Sequence, residues 1–276
     1  MGNYLKTAIL LTVLGALFLF VGHLLGGTGG MLIALLLSLG LTAFSYWQSE
    51  RLALSMARAK PLPRSAAPWL HEANEQLSAR AGIPAPPLYL SPDPQPNAFA
   101  CGRGPGASSV CFTQGILEGM SQREVIGVLA HELAHIKNRD VLTMSIVAAV
   151  SQAILFLQYF AYFIPMGRDE RGGNALAALV ALILAPFAAI LIQMAISRTR
   201  EYAADATGAR LLGDPLPLAD ALETLGRAVQ VLPSETAQPA TAHMYIAQPF
   251  SGGLASLFST HPPIEERVRR LRALSL

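Results

Sequence analysis

Four stretches of this chain, about 7–25, 31–47, 141–166 and 175–196, contain no Asp, Glu, Lys or Arg. Each approaches the ~20 apolar residues that a helix needs to cross a bilayer. The other segments therefore hold all of the 20 basic and 18 acidic residues. This segregation limits the architecture. An apolar hairpin at 1–47 precedes a charged part at 48–140 and 197–276, and a second apolar hairpin, 141–196, interrupts that part. A mean hydropathy of +0.41 with 14% charged residues is too apolar for an ordinary soluble domain.

Each apolar run has a rival reading. A secretory signal could explain the first, but no Ala-x-Ala site follows it and the second run comes at once. Gly26, Gly27, Thr28, Gly29 and Gly30 allow a tight turn between the two, and Tyr46 and Trp47 suit an interfacial belt. The third and fourth runs, with Pro186 as a kink, compete with a pair of buried core helices; their length and lack of charge favour a membrane. Lys6, Arg51, Arg58, Lys60, Arg64, Lys137, Arg139, Arg198 and Arg200 fall on one side if every run spans, against Arg168 and Arg171 on the other. Both termini and the charged part are then expected on the cytoplasmic face. Lipid bilayer is an expected partner. Nucleic acid is not, because the net charge is only +2 and no basic cluster with interleaved aromatics occurs.

The charged part reads as α+β and mainly helical. A linker and an amphipathic helix are expected over 61–81, with short strands at 87–90, 98–100 and 109–113. Cys101 and Cys111 match no Cys-x₂₋₄-Cys metal spacing, and a cytoplasmic location favours two free thiols over a disulfide. Ser121 and Glu124 form a Ser-x-x-Glu capping box ahead of an apolar stripe of Val125, Ile126, Val128, Leu129, Leu133 and Ala134, which signals a helix.

That helix carries His131-Glu132-Leu133-Ala134-His135. Residues four apart lie on one helix face, so two imidazoles there can share one Zn²⁺. Glu132, offset by about 100°, can reach a water whose pKa the metal lowers to roughly 7. Two surface histidines on a solvated helix are the plain alternative, and the signalled helix counts against it. A catalytic zinc needs a third ligand and an open position. Asn138 and Val141 stand where a His-x-x-Gly-x-x-His extension would need Gly and His, which excludes that route. Glu201-x-x-x-Asp205 offers another: Glu201 as a ligand, and Asp205 accepting the free N–H of a ligand histidine.

With these residues in place the chain resembles the HtpX-type membrane zinc metalloproteases of peptidase family M48, relatives of the CAAX prenyl endopeptidases. Four blocks carry the likeness: Asn97-Ala98-Phe99-Ala100, 131–140 (HELAHIKNRD), 197–205 (SRTREYAAD) and 249–267 (PFSGGLASLFSTHPPIEER). The likeness covers nearly the whole chain and no catalytic position departs from it. The two cysteines are not part of the family pattern. The resemblance implies a gluzincin-like zinc protease domain with four transmembrane helices. It implies one Zn²⁺ per chain on His131, His135 and Glu201, with Glu132 as general base and acid. Asn97, Ala98, Phe99 and Ala100 become the edge strand that pairs with an extended substrate. Such a site fits a quality-control endopeptidase of a bacterial inner membrane, acting on extended segments of misfolded membrane proteins.

Other residues stay open between roles. His261 fits a donor to a tetrahedral oxyanion and equally a packing histidine at a helix start. Asp140 reads as an orienting or capping group. Of Arg198 and Arg200, one is expected to order the site through its carboxylates and the other to meet lipid phosphate. Tyr202 reads as core packing, and 232–253 as a loop or flap. Two other functions compete. A site-2-type intramembrane protease would bury the motif in an apolar membrane helix, but Arg123, Glu124, Lys137, Asn138, Arg139 and Asp140 flank it here. A membrane scaffold or chaperone with a structural zinc would have no use for Glu132.

Overall fold

The computed structural model describes residues 3–142, 144, 198–231, 246 and 262–276. The second apolar hairpin lies outside the described residues apart from Val141, Leu142 and Met144, as do His261 and all of the expected loop 232–253 except Ile246. Helical residues run from Asn3 to Met56 (α1). Inside α1, Gly27 stands at φ +57, a left-handed conformation that a right-handed helix cannot propagate through. It falls within 26–30, where the turn between the first two apolar runs is expected. Among the described residues, no helix is long and apolar enough to cross a membrane. Along α1, Leu32, Ile33, Leu36, Leu37, Leu39 and Phe44 are exposed.

The rest is mainly helical with one small sheet. Its strands are β1 (Lys60–Pro61), β2 (Leu88–Ser91), β3 (Ala98–Gly104) and β4 (Ala107–Thr113), in the order β1-β2-β4-β3. β2 and β4 run parallel, while β3 and β4 form an antiparallel hairpin with Ala98 opposite Phe112 and Ala100 opposite Val110. Strand β3 is longer than the expected 98–100. The register shifts between Gly102 and Gly104, and a side chain at Gly102 (φ +133) would collide with the Ala107 carbonyl 2.3 Å away. The hairpin alternates as a two-sided strand pair must. Ala98, Ala100, Val110 and Phe112 enter the main core, whereas Phe99, Cys101 and Cys111 pack on Ala53, Leu54 and Ala57 at the end of α1. Both cysteines are free and buried, and burial pushes both thiols up. The Asn97 carbonyl accepts from Thr113 N, so odd-numbered peptides of β3 face β4 and even-numbered ones face outward at the sheet edge.

Helices α2 (Pro68–Ala81), α3 (Gln114–Gly119) and α4 (Gln122–Lys137) surround and cross the core. The expected capping box is present: Ser121 Oγ accepts from Glu124 N, and Glu124 Oε2 accepts from Ser121 N. Helix α4 lies at the centre, in contact with α2, β3, α5 (Arg198–Leu212) and α6 (Leu216–Val231), and α7 (Ile264–Arg272) closes over α5 and α6. Val125, Val128, Leu129 and Leu133 of α4 meet Leu70, Phe112, Leu218, Leu222 and Leu225 in one core; full burial of each such side chain contributes about 1.5–3 kcal/mol.

Gly127 lets α4 touch α6. A Cβ there would sit 2.6 Å from the Pro217 carbonyl carbon, a backbone atom that cannot swing aside. We therefore predict that Gly127→Ala destabilises the protein by about 1–3 kcal/mol through overpacking. Denaturant unfolding in detergent measures this, and an unchanged midpoint would contradict it.

Candidate active site

The metal-binding motif lies on the buried face of α4, where His131, Glu132 and His135 are each almost inaccessible to solvent. Helix α5 approaches the same turn without a spacer. A Cβ on Gly208 would lie 3.1 Å from Ala130 C and O and from His131 N. One and two helical turns before that glycine, Asp205 and Glu201 respectively face the histidines. Glu201 Oε2 is 3.7 Å from His131 Nε2, and its Oε1 is 3.6 Å from His135 Nε2. One ligand atom from each of the three residues falls within 4.8 Å of the others.

Each histidine has a carboxylate at its other nitrogen. His135 Nδ1 and Asp140 Oδ2 are hydrogen-bonded at 3.1 Å. Asp140 reaches this place because α4 stops at Asn138, Arg139 turns left-handed at φ 61, and Asp140 N donates to the His135 carbonyl. His131 Nδ1 is 3.0 Å from Asp205 Oδ1, close in distance but off line for a hydrogen bond. The Nε2 atoms of the two rings are 3.1 Å apart; a proton on His135, raised to about 9, joins them by a hydrogen bond, and a metal ion would take that proton's place. Two imidazole nitrogens and one carboxylate, with carboxylates behind the rings, are a donor set suited to zinc.

Glu132, Asp140, Glu201 and Asp205 are all buried, and the buried cations around them are Arg200 and Arg267. Among the described residues, four buried carboxylates face two buried guanidinium groups, and protons on Glu132 and His135 offset the excess negative charge; a bound cation would displace them. Burial, joined by the Glu201 charge and opposed by His135, pushes the Glu132 carboxyl up to about 7. Burial would also raise Asp205, but the Arg267 charge and hydrogen bonds override it and hold Asp205 at about 2. His135 shows the same contest: burial lowers it, and Asp140 with the other carboxylates brings it up to about 9. At His131 burial prevails and the pKa falls.

The edge strand meets the motif directly. Ala100 N, one of the outward-facing peptides of β3, donates to Glu132 Oε2 at 2.7 Å. Ala98 and Ala100 thus place the buried sheet edge beside Glu132, while the Phe99 side chain turns to the α1 side. Asn97 is buried, and its Oδ1 accepts from Ile246 N at 3.0 Å. Arg200 is buried beside Asp140 and Glu201, and Arg198 is exposed. Tyr202 lies under the Arg270 guanidinium, 3.9 Å from ring centre to Cζ.

One residue of the site was not singled out from the sequence. Arg267 is fully buried and grips Asp205 with two bonds, Nε to Oδ2 at 2.9 Å and Nη2 to Oδ1 at 2.7 Å. Its Nη1 lies 3.5 Å from Glu201 Oε2. The available signal was positional: Ile264, Arg267, Val268 and Leu271 share the inward stripe of α7, so this arginine occupies a core position among exposed ones.

The sequence profile of peptidase family M48 matches residues 64–275. The chain belongs to peptidase family M48. Within the family it is of the HtpX type. It is 50% identical over 275 residues to a protease HtpX homolog of Persephonella marina (strain DSM 14350 / EX-H1), covering 97% of this chain and 96% of the relative. It is 48% identical over 287 residues to one from Sulfurihydrogenibium sp. (strain YO3AOP1), covering 100% and 97%. The crystal structure of S. mikatae Ste24p shares the fold, with a TM-score of 0.53 at 20% identity; the match covers 98% of this chain but only 65% of that longer one. A metalloprotease assignment therefore rests on the family together with the His131, His135 and Glu201 cluster.

The contact at Gly208 sets the spacing of this M48 site. We predict that Gly208→Ala, by pushing α5 away from Ala130 and His131, weakens zinc binding about tenfold or more, an effect in the range of a supporting-shell lesion. Competition with a chelating dye measures it, and wild-type affinity would refute it. For Asp205→Ala the larger loss should be in folding. Removing one partner of a buried pair and leaving Arg267 uncompensated costs about 3–5 kcal/mol, seen as a lower denaturation midpoint even without metal.

Proposed function

We propose that this M48 peptidase is a membrane-anchored zinc endopeptidase that cuts extended segments of misfolded or damaged membrane proteins on the cytoplasmic side. The observation that carries the reading is the meeting, in one buried place, of three ligand atoms with Glu132 and the edge strand β3. His131 Nε2, His135 Nε2 and a Glu201 oxygen would hold the ion. Bound zinc supplies Lewis acidity, polarising a carbonyl and making water nucleophilic near neutral pH.

The chain's own residues do the rest. Glu132 accepts a proton from the attacking water and returns it to the leaving amide nitrogen. A carboxyl held near 7 is suited to both directions of transfer. The Ala100 amide fixes one Glu132 oxygen. Asp140 holds His135 by a hydrogen bond in the tautomer that would turn Nε2 to the ion, and the Asp205 charge 3.0 Å from His131 Nδ1 favours a proton there. A substrate laid along Ala98–Ala100 would be recognised by its main chain, a mode that accepts many sequences. That breadth supports a quality-control role. His261 remains proposed as an oxyanion donor or as a packing residue.

Membrane anchoring is supported by the four uncharged runs, two of them within α1. The burial of α4 among α2, the sheet and α6 supports a catalytic centre in the α+β part and disfavours an intramembrane one.

The test is cleavage of unfolded casein by the full chain in detergent with zinc, beside Glu132→Ala. We predict that the wild type cuts the casein and itself, that a chelator abolishes this and added zinc restores it, and that the variant retains zinc while losing at least ~10²–10⁴-fold in rate. Equal zinc content with no cleavage by either protein would refute the endopeptidase reading and favour a zinc-holding scaffold.

A further inference from the structure

The family likeness places Asn97 with Ala98, Phe99 and Ala100 as one substrate-binding run, yet its contacts differ in kind from theirs. Its side chain is buried, and its Oδ1 accepts the Ile246 amide at 3.0 Å. Its own backbone is tied to β4: Asn97 N donates to Thr113 Oγ1 at 2.8 Å, and the Asn97 carbonyl accepts from Thr113 N at 2.9 Å. On its other side, the Ile246 peptide offers its carbonyl to Arg267 Nη1 at 3.3 Å, and the Ile246 side chain is buried in the main core. Arg267 in turn grips Asp205, which stands behind His131. From the strand side, Ala100 N holds Glu132, the neighbour of His131.

These contacts close a ring: β3, Asn97, the Ile246 peptide, Arg267, Asp205, His131, Glu132, and back to β3 through Ala100. We infer that Asn97 is a positioning residue that sets the edge strand against the metal ligands through the Ile246 peptide, and that it is not itself a substrate contact. This rests on the endopeptidase reading for its consequence but not for its structure. Without the Asn97 acceptor, a buried amide loses its partner, and the spacing between Ala98–Ala100 and the ligand pair loosens. An extended substrate then pairs less often in the productive alignment, while the ligand atoms themselves are unchanged.

Two measurements on the full-length protein in detergent test it. Hydrogen exchange should find the Ile246 amide about tenfold faster or more in Asn97→Ala and near wild type in Asn97→Asp, which keeps the acceptor. With an internally quenched peptide taken from a casein site that the wild type cuts, Asn97→Ala should raise KM about tenfold with kcat and zinc content within about twofold. Asn97→Asp should restore KM. An unchanged Ile246 amide in Asn97→Ala would overturn the inference. So would a KM defect in Asn97→Asp as large as in Asn97→Ala, since that pattern marks a direct substrate contact through the amide nitrogen. A fall in kcat at constant KM, with exchange faster throughout α4 and β3, would show general destabilisation and also overturn it. If the wild type cuts nothing, the endopeptidase reading fails, and the exchange measurement still decides the role of Asn97.

Discussion

Buried charge governs this structure. Four carboxylates, two guanidinium groups and two imidazoles sit out of water around one point, and each must find a partner or destabilise the fold by several kcal/mol. Arg267 resolves the heaviest part of this, taking Asp205 with two bonds and approaching Glu201. Asp140 and Asp205 take the histidine nitrogens. What remains is the pair of Nε2 atoms and the Glu201 carboxylate, a cluster that could hold a metal ion.

The apolar core serves that arrangement. Gly127 and Gly208 bring α6 and α5 against α4 at backbone distance, and Val125, Val128, Leu129 and Leu133 fill the remaining faces of the same helix. Strand β3 then has one course available, with odd-numbered peptides on β4 and even-numbered ones toward Glu132. The unpaired edge of a sheet is ordinarily a liability for a folded protein; here Ala98 and Ala100 are buried and the Ala100 amide is taken by Glu132.

The parts of this arrangement readable from the sequence were the local ones. Helical periodicity is a property of neighbours, so the His131/His135 face, the Ser121–Glu124 cap and the Glu201/Asp205 pair could be placed on helices before any fold was known. Strand alternation similarly located β2, β3 and β4 to within a few residues, although β3 continues to Gly104 through a bulge that Gly102 permits. The role of Asp140 was foreseen as orienting or capping, but the left-handed turn at Arg139 that delivers it to His135 was not. Arg267 lay hidden because an arginine among arginines on a short helix reads as surface; only its place in the Ile264/Val268/Leu271 stripe sets it apart. Asn97 was legible as part of a strand start but not as an acceptor for Ile246, a residue 149 positions away.

By itself, then, the sequence determined the chemistry available. It specified two imidazoles one turn apart with a carboxylate between, a second helix with acids four apart, and uncharged runs of bilayer length. These follow from spacing along one element, which the backbone geometry alone enforces. Tertiary structure decided which of those groups meet. The order β1-β2-β4-β3, the glycine contacts between helices and the burial of Arg267 depend on packing between segments far apart in the chain. Such packing is set by complementary shape and by the cost of unpaired buried charge, neither of which leaves a periodic mark in the sequence.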